Sequence, residues 1–206
     1  MKTRVKRPHA LNNTYSGVAG ELRVAAELVR CGMRVAKPYW TNDEADLVVL
    51  YGTRGRNITT SRRSRKTLVP VHLQVKAVQF LPSKSRTAES SRRVKIKKRY
   101  VEDTRSLCIA IYRVDTDCLW FIDGPENIIR AYNDLPRRKR KYAELPDTAE
   151  LSFTITATEG PLFEEWLVPR DDRQWLPKRI KRVVDNLTPN EIDRLFQEFE
   201  RSGTVP

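Results

Sequence analysis

Near the start of the chain, apolar residues recur every three or four positions. Val18, Leu22, Ala25, Ala26 and Val29 follow one another at helical spacing. Ser16 stands where an N-cap oxygen accepts the first free N–H groups, and Gly32 follows as a C-cap. The spacing predicts a helix from Ser16 to Arg30 with that stripe facing inward. Met33 to Ala36 then reads as a short strand ended by Pro38, Ala45 to Tyr51 as an apolar strand opened by Asp46, and Val69 to Phe80 as a longer one. Arg92 to Thr104 is basic and reads as helical. Leu107 to Val114 and Cys118 to Ile122 form two strands joined by the turn residues Asp115, Thr116 and Asp117, followed by a short helix over Gly124 to Tyr132. Leu151 to Thr158 alternates apolar and polar positions, as a strand with one wet face does. Thr188-Pro189-Asn190-Glu191 combines an N-cap, a first-turn proline and a capping-box acid, and opens a helix whose stripe is Ile192, Leu195, Phe196 and Phe199.

Helices interleave with strands and nothing repeats at a fixed period, so the expected fold class is α/β, a mixed sheet flanked by helices. The division expected along the chain is one domain over residues 1–158 with an Arg-rich insertion at 52–67, and a mainly helical extension over 159–206.

Charge narrows the class of partner. The chain has 39 Lys and Arg against 26 Asp and Glu, for a net charge of +13. Three segments hold most of the excess: Gly52 to Lys66, with Arg54, Arg56, Arg62, Arg63, Arg65 and Lys66; Lys84 to Arg99, with Lys84, Arg86, Arg92, Arg93, Lys95, Lys97, Lys98 and Arg99 against Glu89; and Arg137 to Lys141. Together they carry nineteen basic side chains and one acid, more positive charge than the whole chain nets. Segregation of this kind suits a surface that grips phosphates, each contact releasing a condensed counterion. Aromatic residues are sparse in these segments, which argues against stacking on single strands. No segment reaches the roughly 18 apolar residues of a membrane span. The basic start lacks the apolar core of a secretory signal, so a cytoplasmic protein with no membrane association is expected. Cys31, Cys108 and Cys118 include no Cys-x-x-Cys pair and point neither to a disulfide framework nor to a zinc knuckle.

The strand Val71-His72-Leu73-Gln74-Val75-Lys76 carries the candidate chemistry. Alternation sends Val71, Leu73 and Val75 to one face and His72, Gln74 and Lys76 to the other. An ammonium and an amide on a central strand are costly to bury without an anion, a metal or water beside them. Asp46, at the mouth of the preceding apolar strand, poses the same question, and pairing of the two strands would bring it near Gln74. Hard oxygen ligands of this kind can hold Mg²⁺, which activates water and neutralises charge building on phosphorus, while a lysine stabilises the transition state.

Glu21 in the first helix, Asp46 at a strand start and Gln74-Val75-Lys76 in the next strand resemble the PD-(D/E)XK nuclease superfamily. The helix from Gly17 to Leu28 is similar to the opening helix of archaeal Holliday-junction resolvases. It is also similar to group I intron homing endonucleases of this superfamily, some of which carry Gln-x-Lys. The resemblance covers about residues 14–125. It implies a restriction-endonuclease-like fold and a metal-dependent DNA endonuclease using Mg²⁺ or Mn²⁺, homing-type or junction-resolving, working on DNA as a homodimer. It also implies that Asp46 is the central metal ligand, Gln74 a second ligand, Glu21 a ligand of the metal or its water, and Lys76 the group that activates the nucleophile. Two departures stand out: Gln74 replaces the usual Glu, removing a negative charge, and Ala45 stands where Pro is common. A catalytically weak nuclease-fold module that only binds DNA is the alternative, and an RNA-binding protein a third. Glu27 is a second helix candidate. His72 is read as structural, Asp43 and Glu44 as solvated, and Asp115, Asp117 and Asp123 as turn residues.

Overall fold

The computed structural model describes residues 13–38, 45–53, 67–80, 91–135, 140–156 and 161–201. In chain order these form α1 (Asn13–Arg30), β1 (Arg34–Ala36), β2 (Leu47–Thr53), β3 (Thr67–Val78), β4 (Ser91–Lys97) and α2 (Lys98–Asp103). Then come β5 (Leu107–Arg113), β6 (Cys118–Asp123), α3 (Gly124–Asn133), β7 (Glu150–Thr156), α4 (Trp175–Asp185) and α5 (Pro189–Arg201). The Arg-rich 54–66 segment, Lys84, Arg86, Asp43, Glu44 and residues 137–139 lie outside the described residues.

A five-stranded mixed sheet in the order β1-β2-β3-β5-β6 forms the centre of the molecule. Only β3 and β5 run parallel, with Gln74 opposite Ile109 and Lys76 opposite Ile111. The other neighbours are antiparallel. β3 is the middle strand, and its Val69, Val71, Leu73 and Val75 pack with Leu47 and Val49 of β2 beneath α1 and α4. On the opposite face Ile109, Ile111, Trp120 and Ile122 pack against α3 and against a separate two-stranded ribbon of β4 and β7. The mixed α/β class with helices on both faces is therefore as the sequence implies. β5 begins opposite His72, so Pro70 lies where β3 has β2 alone as its neighbour, a position that tolerates a missing N–H.

Most element ends follow from local chemistry. Gly32 adopts φ 80°, its N–H donates to the Val29 carbonyl at 2.8 Å, and the Met33 N–H donates to the Leu28 carbonyl at 3.1 Å. This left-handed C-cap needs glycine. At α5, the Thr188 N–H donates to Glu191 Oε2 at 2.8 Å and the Glu191 N–H to Thr188 Oγ1 at 3.3 Å, the capping box that the sequence implies.

Three expectations need correction. α1 starts at Asn13, so Ser16 lies inside the helix and does not cap it. Its expected inward stripe points outward, with Val18, Leu22 and Val29 exposed by 47%, 67% and 59%. The buried face carries Gly20, Val24, Glu27 and Leu28 instead. The physical reason is close approach: a Cβ at Gly20 would lie 2.8 Å from Ala77 Cβ, and only the face with the smallest residue lets the helix settle onto β3. The basic segment from Arg92 is not one helix either. It divides into β4 and the short α2, because Val94 and Ile96 alternate with Arg93, Lys95 and Lys97 and pair against the apolar Phe153 and Leu151 of β7.

α4 was not singled out by the sequence pattern. Its Leu176, Ile180, Val183 and Val184 are buried against the same face of the sheet as α1. No helix among the described residues is long and apolar enough to cross a membrane.

Candidate functional site

Asp46 immediately precedes β2 and is clamped to β3 from both sides of Gln74. Its N–H donates to the Leu73 carbonyl at 2.9 Å, and its Oδ2 accepts from the Val75 N–H at 2.6 Å. Strand pairing with Leu47 opposite Leu73 thus places Asp46 beside Gln74, as the two-strand expectation requires. Gln74 is buried and Lys76 half-buried on the face they share with Ile109 and Ile111.

The electrostatics tie further groups to Asp46. Burial holds its carboxyl above the usual range, the Val75 N–H and the Lys76 ammonium oppose that rise, the Glu21 carboxylate adds to it, and Lys37 opposes it. Asp46 therefore feels Lys76, Glu21 and Lys37, while Gln74 and Lys76 lie on the sheet face opposite the one that α1 covers. Glu21 is engaged: its Oε2 accepts from Lys37 Nζ at 2.8 Å. Lys37 is a site member that the sequence pattern did not reveal, because it follows β1 and reaches α1 across sixteen residues.

Glu27, the other helix acid, belongs to a different network. It is buried and held below the usual carboxylate range by Arg30 first and Arg23 second, against its burial. Arg23 also donates from Nε to Asp117 Oδ1 at 2.9 Å, pinning α1 to the β5–β6 turn. Asp115, Asp117 and Asp123 are more than turn residues. Asp115 accepts from Arg113 at 2.8 Å, Asp117 from Arg23 and Tyr112, and buried Asp123 from Arg179 Nη1 of α4 at 2.9 Å.

His72 Nδ1 lies 2.9 Å from Ser106 Oγ, and burial lowers its pKa to about 4, so the ring is neutral at physiological pH. The unfolded chain takes up a proton near pH 6.5 that the folded chain refuses until about pH 4. The stability this group contributes is therefore complete above pH 6.5 and is lost on acidification towards 4, at up to about 1.4 kcal/mol per pH unit. We expect His72→Gln to flatten urea-melt stability between pH 6.5 and 4.5; an unchanged acid slope would show that His72 titrates normally.

Of the basic candidates, Arg92, Arg93 and Lys95 are exposed on β4 and Lys97 is half-buried, its Nζ 3.0 Å from the Tyr100 hydroxyl. Lys98 points inward. Its ammonium donates to the Leu145 carbonyl at 2.8 Å and to Asp147 Oδ1 at 3.1 Å, and it is 6% exposed, so it is not part of a phosphate-gripping surface. Arg54, Arg56, Arg62, Arg63, Arg65 and Lys66 lie outside the described residues.

Among the described residues no group of three or more His, Cys, Asp and Glu side chains is placed to hold a metal ion. A cation at this site would rest on two carboxylates, Asp46 and Glu21, with the Gln74 carbonyl as a neutral third ligand. That donor set is all oxygen, which suits Mg²⁺ or Mn²⁺ and not a soft metal. Burial first, and the Glu21 carboxylate after it, disfavour the ionised form of Asp46, a cost that a divalent cation beside it would offset.

No family model and no curated protein matches the chain. Among solved structures it is similar to that of a bacterial homing endonuclease, at 12% identity and a TM-score of 0.44, covering 86% of this chain and 99% of that one. A likeness at that level assigns no activity.

Proposed function

We propose that the chain is a metal-dependent DNA endonuclease that hydrolyses phosphodiester bonds, with Glu21, Asp46 and Gln74 as ligands of Mg²⁺ or Mn²⁺ and Lys76 as the cation at the reacting phosphate. The observation that supports this reading best is the clamp of Asp46 against β3. It fixes a carboxylate beside Gln74, within electrostatic reach of Lys76 and Glu21, on the middle strand of the sheet. A bound divalent ion would lower the pKa of its water and polarise the phosphate. The chain's own groups do the rest. The Val75 N–H orients the Asp46 carboxylate while the Asp46 N–H fixes its backbone to Leu73, and the remaining carboxylate oxygen is the one that would bind metal. Lys76 holds positive charge where negative charge would develop, and Glu21, paired with Lys37, would be the carboxylate that shares the cation with Asp46.

Supercoiled, linear and four-way-junction DNA, incubated with the full chain and either Mg²⁺, Mn²⁺ or chelator, test the proposal. The expected result is nicking that requires metal and falls roughly 10²–10³-fold in Lys76→Ala, the scale of removing one electrostatic stabiliser. Preference for the junction over linear duplex would assign it to junction resolution, and site-selective linear cutting to a homing-type reaction. DNA shifted in a gel without cleavage of any substrate would establish instead a binding module. The neutral Gln74 and the Lys37–Glu21 pair are the features that favour that second reading.

A further inference from the structure

We propose that the solvent face of the β4–β7 ribbon is a surface that enters the major groove of duplex DNA, an inference that rests on the DNA-binding part of the reading above. The two strands pair antiparallel from Ser91 opposite Thr156 to Lys97 opposite Glu150. One side of the pleat is closed: Val94, Ile96, Leu151, Phe153 and Ile155 are all at most 4% exposed. The other side carries Arg93 opposite Thr154, Lys95 opposite Ser152 and Lys97 opposite Glu150. Arg93, Lys95 and Thr154 on this side are exposed.

Same-side residues on a strand recur about every 6.8 Å, and paired strands lie about 4.8 Å apart. A ribbon of these dimensions is the β element that a major groove about 12 Å wide admits. The side chains divide by chemistry. One strand offers guanidinium and ammonium groups for phosphates or guanine edges, and the other offers Ser and Thr hydroxyls that bond to bases or backbone. The one acid on this face, Glu150, sits at the end of the ribbon and holds Lys95 at 2.8 Å. Both partners of that pair are about half exposed, so a phosphate can replace the carboxylate at little cost.

The ribbon is also anchored next to the candidate site. Arg92 Nε donates to the Gln79 carbonyl at 3.1 Å, three residues beyond Lys76. Its apolar side packs on the sheet face that bears Ile109 and Ile111, the neighbours of Gln74 and Lys76. Duplex gripped by the ribbon is thus held by an element fixed to the strand that carries Lys76. Lysines on a ribbon can also serve only to deter edge-to-edge pairing, a role that involves no nucleic acid.

Salt-dependent binding separates these roles. Affinity of the full chain for duplex DNA and for double-stranded RNA of the same sequence is measured in chelator across a salt series, for the unmodified chain, for Arg93→Gln/Lys95→Gln and for the charge-preserving Arg93→Lys/Lys95→Arg. The expected result for the glutamine pair is a DNA slope of log K against log salt shallower by roughly 1.8, about 0.9 for each lost phosphate contact. Its slope on RNA stays unchanged, because the A-form major groove is too narrow to read. The charge-preserving pair keeps the DNA slope, showing that charge and not folding was lost. An unchanged DNA slope, or an equal loss on RNA, overturns the ribbon assignment and leaves metal-dependent cleavage standing. No DNA binding by the unmodified chain overturns both.

Discussion

Asp46→Asn is expected to lower metal-dependent cleavage by at least about 10³-fold while duplex DNA binds as well as or better than before. The loss follows from removing the ionised oxygen that faces the candidate cation. The retained or improved binding follows from removing one negative charge from a surface that approaches phosphate. The same substitution is expected to stabilise the fold. Burial and Glu21 hold the Asp46 carboxyl above its ordinary range, so its ionised form is disfavoured in the folded chain relative to the unfolded one. The sign is that of a raised carboxylate: the folded chain gains stability as pH falls and the group protonates, and forfeits it as pH rises through the folded pKa. Asparagine mimics the protonated form and its carbonyl can still accept from the Val75 N–H. The expected sign is therefore a higher Tm for the variant than for the parent. Calorimetry and a nicking assay on the one variant read both effects. A lower Tm would mean that Asp46 is chiefly a structural clamp and would count against the site.

Gly20→Ala carries the second large effect, and Gly17→Ala is its internal control. Both glycines lie within α1, where alanine is favoured by about 1 kcal/mol on helix propensity alone. A Cβ at Gly17 meets nothing within 4 Å, so that variant should be more stable than the parent by about 0.5–1 kcal/mol. A Cβ at Gly20 meets Ala77 Cβ at 2.8 Å and lies 3.8 Å from Val75 Cγ1. Relief requires α1 to lift from β3, and overpacking of that kind costs about 1–3 kcal/mol. The lift also displaces Glu21, the next residue, from Asp46. Cleavage should therefore fall by more than the stability loss explains, with the deficit visible well below the melting temperature. If Gly20→Ala is as active as Gly17→Ala, Glu21 is not part of the chemistry.

The sheet was legible in the sequence where the strand was apolar over several consecutive residues. β2, β3, β5 and β6 each carry an apolar run, and the register that places Asp46 beside Gln74 follows from pairing two such runs. β4 was not legible, because positive charge at Arg92, Arg93, Lys95 and Lys97 dominates the segment and only Val94 and Ile96 mark its inner side. α1 was legible as a helix but not in its orientation. It has apolar residues on more than one side, and the choice between them is made by the clearance at Gly20, a property of the partner strand. Glu27 and Glu21 were equivalent in the sequence. The structure shows that Arg23 and Arg30 close on Glu27 while, among the described residues, Lys37 meets Glu21. Lys37 had no sequence signal of its own, since its role depends on where β1 ends relative to α1.

The parallel alignment of β3 with β5 has a kinetic consequence. β2 and β3 can zip as an antiparallel pair, but no hairpin can join β3 to β5, because the chain between Gln79 and Ser106 must first travel out through β4 and α2 and return. The entropy of closing that excursion is spent before the contacts it brings together reward it. Both sides of the middle strand are therefore in place only late in folding. Refolding followed through Trp120 on β6 should lag behind the early helical signal, and the chain should acquire a competent centre as one of its last events.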